Sequence, residues 1–221
     1  MIIQDGMRRM VAEQEDVFYY ITVMNENYEH PAMPSGAEQA ILKGMYLFRE
    51  GAKKKLGVQL LGSGTILREV IAAGQLLESD WDVAADIWSA TSMTELRREG
   101  LAAERWNMLH PEAKPRAPYL SQCLEKRAGP VVAATDYIKT FAEQIRAFVP
   151  KGRLYKVLGT DGFGRSDSRA KLRGFFEVDR HYVTVAALAA LAESGEVKTK
   201  VVTEAIRKYG LDPEKPNPVT V

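Results

Sequence analysis

The segment Gly159-Thr-Asp-Gly-Phe-Gly-Arg-Ser-Asp-Ser-Arg169 concentrates the residues best suited to chemistry: three glycines, two acids and two arginines between an apolar run and a helical pattern. Glycines at 159, 162 and 164 permit positive φ and close backbone approach, and Ser166 and Asp167 can cap the helix that follows. A helix N-terminus beside Arg165 and Arg169 would attract an anion, since guanidinium forks match carboxylate or phosphate geometry. Asp161, Arg165, Asp167 and Arg169 are therefore the candidate anion-contact residues. The same composition also describes a plain turn with a capped helix, in which the arginines pair with the local carboxylates.

A second constellation is Glu104-Arg-Trp-Asn-Met-Leu-His-Pro111, ahead of a proline-rich stretch to Pro118. A ring, an amide and an imidazole there could line a cleft. Arg105, Trp106, Asn107 and His110 read better as an interface set, with Trp106, Met108 and Leu109 plugging a domain or subunit contact and Arg105 and Asn107 satisfying loop carbonyls. Gly62-Ser-Gly64 with Thr65, Ile66 and Leu67 sits where a dinucleotide fingerprint would, with Asp82 or Asp86 downstream. The third glycine is Leu67, whose bulk predicts that the close helix-to-strand approach is lost, leaving a capped βα turn.

Other chemistries are poorly served. The three histidines, His30, His110 and His181, are not spaced with other ligand types on one helix face, so metallohydrolase chemistry is unsupported. No Gly-x-Ser-x-Gly elbow is present. The single cysteine, Cys123, excludes an intrachain disulfide and a Cys-x-x-Cys metal site, and suits a reducing cytoplasm. Lysine plus arginine number 30 against 29 acids, which offers no electrostatic case for nucleic acid or an anionic membrane. No apolar stretch approaches the roughly 20 residues of a membrane span.

These residues need a scaffold, and the 221-residue chain, 46% hydrophobic, can bury a substantial core. Short apolar runs at 58–61, 83–88, 131–134 and 155–158 alternate with helical patterns at 65–78, 93–99 and 137–148. This predicts an α/β domain with a small, mainly parallel sheet and helices on both faces. Helices are expected at 168–176, 181–192 and 201–209, and Pro213, Pro216 and Pro218 predict an extended tail. Upstream, residues 5–13 read as a helix and Val17-Phe-Tyr-Tyr-Ile-Thr-Val23 as a buried strand. Residues 38–48 read as a short amphipathic helix before a charged turn. Residues 1–56 are expected to be the end of one domain plus a linker, and residues 57–221 a second domain.

Taken with Tyr20-Ile-Thr-Val-Met-Asn-Glu-Asn-Tyr28 and Ala134-Thr-Asp-Tyr137, the 104–111 and 159–169 segments closely resemble the C-terminal part of the homodimeric type of pyruvate dehydrogenase E1 component, essentially from end to end. The resemblance implies a transketolase-type C-terminal domain preceded by a remnant of the middle, pyrimidine-binding domain. It implies an enzyme that decarboxylates pyruvate through thiamine diphosphate and magnesium, passing acetyl to lipoyl groups. Its implied partners are the rest of the E1 subunit, a second E1 chain and the dihydrolipoyl acetyltransferase component. In that family the diphosphate and metal are held by a Gly-Asp-Gly motif with a downstream Asn, and the aminopyrimidine by a Glu. Neither is placed in this sequence, so no catalytic, cofactor-binding or metal-binding residue is assigned. Gln4-Asp5-Gly6 with Asn25 and Asn27 imitates the metal motif but lacks the leading glycine and lies in an arginine-rich helical context, which reads as structural. By itself the chain is expected to be catalytically incompetent. The alternative is a non-catalytic structural or dimerisation module, such as a gene fragment.

Overall fold

The computed structural model describes residues 1–24 and 27–221. Five strands form one sheet in the order β1-β3-β2-β4-β5: β1 (Met45–Arg49), β2 (Leu56–Gly62), β3 (Val83–Ala90), β4 (Val131–Ala134) and β5 (Tyr155–Leu158). Strands β2 to β5 are mutually parallel, and β1 runs antiparallel on the edge beside β3. The expected α/β class, mainly parallel with helices on both faces, is the architecture found.

Period-two alternation in the strands builds the layers. Val58 and Leu60 of β2, Ala85 and Ile87 of β3, and Val132 and Ala134 of β4 share one core with α3 (Leu67–Asp80), α8 (Arg180–Glu193) and α9 (Thr199–Lys208). Leu61, Trp88, Val131 and Ala133 point the other way, toward α4 (Met93–Leu109) and α5 (Tyr119–Leu124). Fully buried side chains such as Leu60, Leu77 and Leu188 each contribute about 1.5–3 kcal/mol of apolar transfer energy. The one amide in the middle of β2 is satisfied throughout: Gln59 donates to Asp86 and to the Ala128 carbonyl and accepts from the Trp88 indole N–H.

Several expectations are corrected. Residues 38–48 are not one helix: α2 (Glu38–Leu42) ends at once and Met45–Arg49 becomes the edge strand, because β3 presents an open edge that Met45-Tyr-Leu-Phe-Arg can pair with. No strand forms at 17–23 among the described residues. Phe18 is 86% and Tyr20 88% exposed, since a strand needs a ladder partner and none lies beside this segment. Upstream, α1 (Ile2–Met7) continues into a π-helical turn, Arg8–Ala12. The helix expected at 93–99 extends through Leu109, so Glu104 to Leu109 are helical as well. The helix expected at 137–148 is broken into α6 (Lys139–Glu143) and a short turn, Arg146–Phe148.

Candidate functional site at the strand ends

Strands β2, β4 and β5 end side by side. Gly62 pairs with Ala134, and Ala134 with Leu158. Two backbone bonds extend the alignment, from Ser63 N to the Ala134 carbonyl and from Thr135 N to the Leu158 carbonyl, each 3.1 Å. After β2 the chain moves to one side to form β3, then crosses to the other side to form β4. The sheet therefore reverses its winding direction between β2 and β4, where open α/β sheets leave a crevice beyond the strand ends.

A cavity of about 270 Å³ occupies that crevice. One wall is Thr65 and Ile66, following β2; another is Asp136 and Thr160, from the loops after β4 and β5. The Thr65 hydroxyl reaches Asp136 Oδ2 at 3.4 Å, and Thr160 Oγ donates to the Asp136 backbone carbonyl at 2.6 Å. The rim is Arg165 and Arg169, with Arg173 deeper beside Leu172, Phe176 and Val178.

The 159–169 loop reaches this cavity but is held differently from the sequence-based expectation. Asp161 accepts the backbone N–H of Lys139 at 2.9 Å, and Asp167 accepts from the N–H of Ser168 at 2.6 Å. Neither carboxylate pairs with Arg165, whose guanidinium lies 5.1 Å over the Phe175 ring. The cap of α7 (Arg169–Phe175) is Ser168, accepting from Lys171 N, and not Ser166 or Asp167. Gly162 is required twice: its φ is +100°, and a Cβ there would sit 2.4 Å from the Pro218 carbonyl oxygen. Gly164, by contrast, faces open space. The proline-rich tail thus folds back on the loop instead of extending away. Lys215 fixes it by donating to the Phe175 carbonyl at 2.6 Å and to Glu177 at 2.9 Å.

Beneath the cavity lies a buried ionic junction that no sequence motif announced. Glu69, at the start of α3, is 5% exposed. It accepts from Arg173 Nη1 at 3.1 Å and from Arg180 through its backbone N–H at 3.1 Å and Nε at 2.9 Å. Burial raises the Glu69 pKa, but the Arg180 hydrogen bonds and the charges of Arg180 and Arg173 outweigh it and hold the carboxyl below its usual value. Arg173 Nη2 also donates to the Tyr28 hydroxyl at 3.3 Å, and Arg68 lies 4.3 Å over the Tyr28 ring. Tyr28 therefore ties the upstream segment to the cavity wall. The partners of Glu69 lie 104 and 111 residues away, so no local spacing advertised them; Asp136 appeared only within the Ala134-Thr-Asp-Tyr137 segment.

The other sequence candidates fall elsewhere. Trp106 stacks on His110 at 4.5 Å and carries Arg116 over its face at 4.1 Å. Asn107 clasps the backbone of Arg116, donating to its carbonyl and accepting its N–H. Arg105 is exposed, and Met108 is 71% exposed at the end of α4. Gly62 overturns the expectation that Leu67 prevents close approach: a Cβ on Gly62 would lie 2.7 Å from the Leu67 Cα, so helix and strand touch there. Asp86 accepts from the Gly51 N–H and Gln59, and Asp82 pairs with Lys54, which leaves both in structural roles. Asp5 is taken up by Arg8 at 2.7 Å and the Tyr19 hydroxyl at 2.6 Å. Asn25, its proposed companion, lies outside the described residues, whereas Asn27 is described. Among the described residues no group of three His, Cys, Asp or Glu side chains converges as a metal site. No helix is long and apolar enough to cross a membrane among them.

Comparison with known proteins adds what the geometry leaves open. Residues 44–179 match the transketolase-like TK C-terminal domain, and residues 1–31 the pyruvate dehydrogenase E1 component middle domain. The chain is 63% identical over 220 residues to the pyruvate dehydrogenase E1 component of Pseudomonas aeruginosa, covering 99% of this chain and 25% of that protein. It is 56% identical to the Escherichia coli K12 protein of the same name, covering 99% of this chain and 24% of that protein. The chain spans about a quarter of the length of these curated relatives. Among solved structures, a transketolase from Pichia stipitis superposes with a TM-score of 0.50 at 16% identity, over 75% of this chain and 20% of that one, a likeness of fold alone.

Proposed function

Because the chain belongs to the transketolase-like C-terminal domain family and corresponds to the C-terminal part of pyruvate dehydrogenase E1 components, we propose that it serves as that portion of an acetyl-transferring E1 enzyme. The observation that carries this reading is the 63% identity maintained over 99% of the chain. In this reading thiamine diphosphate and magnesium are held by other parts of the enzyme. Residues 1–56 end the middle domain and provide the linker, with β1 lent to the sheet of the 57–221 domain. Residues 105–110 face a domain or subunit contact within a homodimer, and the 159–169 loop stands at the mouth of the active site, where Arg165 and Arg169 meet an anionic group or an incoming lipoyl domain of the acetyltransferase. The same reading has the enzyme working in the cytoplasm, feeding acetyl units from glycolytic pyruvate.

The test is a chimera in which this chain replaces the corresponding quarter of the Escherichia coli E1 component. Retention of pyruvate decarboxylation and of acetyl transfer to lipoyl groups, within about tenfold of the parent, is expected. A folded chimera that binds cofactor yet turns over no pyruvate would refute the reading and favour a structural or dimerisation module.

A further inference from the structure

The geometry points to the cavity at the β2/β4 strand ends as a binding site for a small amphipathic anion: one carboxylate or phosphate head on an apolar body. Three features converge on that chemistry. First, Arg165 presents its guanidinium at the rim, stacked on Phe175 at 5.1 Å, while Asp161 and Asp167, its nearest carboxylates in sequence, are engaged with backbone N–H groups. A guanidinium braced on a ring is pre-oriented, and a single anionic head completes it bidentately. Second, Ile66, Leu172, Phe176 and Val178 give the interior an apolar lining, which a bare inorganic anion would leave unfilled. Third, Asp136 lines the same space with its carboxylate, which repels a second anionic group and rewards a hydroxyl or amide donor on the ligand body. The volume of about 270 Å³ suits a body of roughly ten heavy atoms rather than a dinucleotide.

Arg173 lines the cavity and also contacts Glu69 and Tyr28, so an occupant would lie against the residue that ties the upstream segment to the sheet. This site does not depend on the enzyme assignment. A failed chimera leaves it intact, and failed binding leaves the chimera's activity intact.

Phenyl phosphate is the probe, with inorganic phosphate and phenol as controls, titrated into the 15N-labelled chain. Phenyl phosphate is expected to shift the backbone amides of Thr65, Thr160 and Arg173 saturably with a Kd of about 1 mM or lower, at least about tenfold tighter than either control. The exposed Arg165→Ala variant should weaken it about fivefold or more at an unchanged melting temperature, with Arg165→Lys intermediate. Equal binding of inorganic phosphate, an unaltered Kd in Arg165→Ala, shifts confined to residues outside the cavity, or no saturable shift at about 10 mM would each overturn the inference.

Discussion

Replacing Glu69 by Gln tests whether the junction under the cavity is the anchor its geometry implies. The carboxylate accepts four N–H groups: Arg173 Nη1 at 3.1 Å and Arg180 Nη2 at 3.3 Å on one oxygen, Arg180 Nε at 2.9 Å and Arg180 N at 3.1 Å on the other. Glutamine keeps one acceptor oxygen and turns an NH2 toward two arginines. Removing one partner of a buried pair costs about 3–5 kcal/mol. The Arg180 side chain is 47% exposed, so water recovers part of its solvation, and the net loss is about 2–4 kcal/mol. With a urea slope of about 2 kcal/mol/M for a chain of this size, the denaturation midpoint should fall by about 1–2 M at pH 7. The sign with pH is fixed by the lowered carboxyl. Its stabilisation is fully present above the ordinary value of 4.5 and is lost as pH falls through the lower folded value, whereas the amide in Glu69→Gln titrates nothing. Wild type and variant should therefore keep their gap from pH 7 down to about 4.5 and converge as pH falls below it. A midpoint shift below about 0.3 M, or a gap that stays constant below that pH, would show that Glu69 is not the ionised centre of the junction.

Gly162→Ala should cost about 1–3 kcal/mol, because it strains a φ of +100° and drives a methyl into the Pro218 carbonyl; limited proteolysis should then cut the tail faster, and an unaltered cleavage rate would contradict the contact. Hydrogen exchange should show residues 17–24 opening far ahead of β2 and β4, given the exposure of Phe18 and Tyr20; equal protection in a monomer would be inconsistent with it. Calorimetry of the chain with thiamine diphosphate and magnesium should give no binding at micromolar cofactor, since Asp5 is consumed by Arg8 and Tyr19; micromolar affinity would place the cofactor groups inside this chain after all.

Much of the architecture was legible because it rests on local pattern. Strands β2, β3, β4 and β5 coincide with short apolar runs separated by turn residues and helical periodicities, and each half of the alternation faces a different helical layer. Alternation of that kind admits few folds other than a parallel α/β sheet. The family resemblance was likewise carried by contiguous segments that a sequence displays directly.

The features that escaped such reading are non-local. Met45-Tyr-Leu-Phe-Arg is ambiguous between helix and strand, and the open edge of β3 settled it. Val17 to Val23 has strand composition, yet it pairs with no strand among the described residues and leaves Phe18, Tyr20 and Val23 exposed. The cavity collects residues from the ends of three strands and from α7, and the Glu69 junction joins groups 104 and 111 positions apart. Most segments carry their own strand or helix identity, because backbone propensity and side-chain period act over a few residues. Which arginine meets which carboxylate, and where the tail turns back onto Gly162, depends on how the sheet orders its strands, and only the folded chain brings those partners within reach.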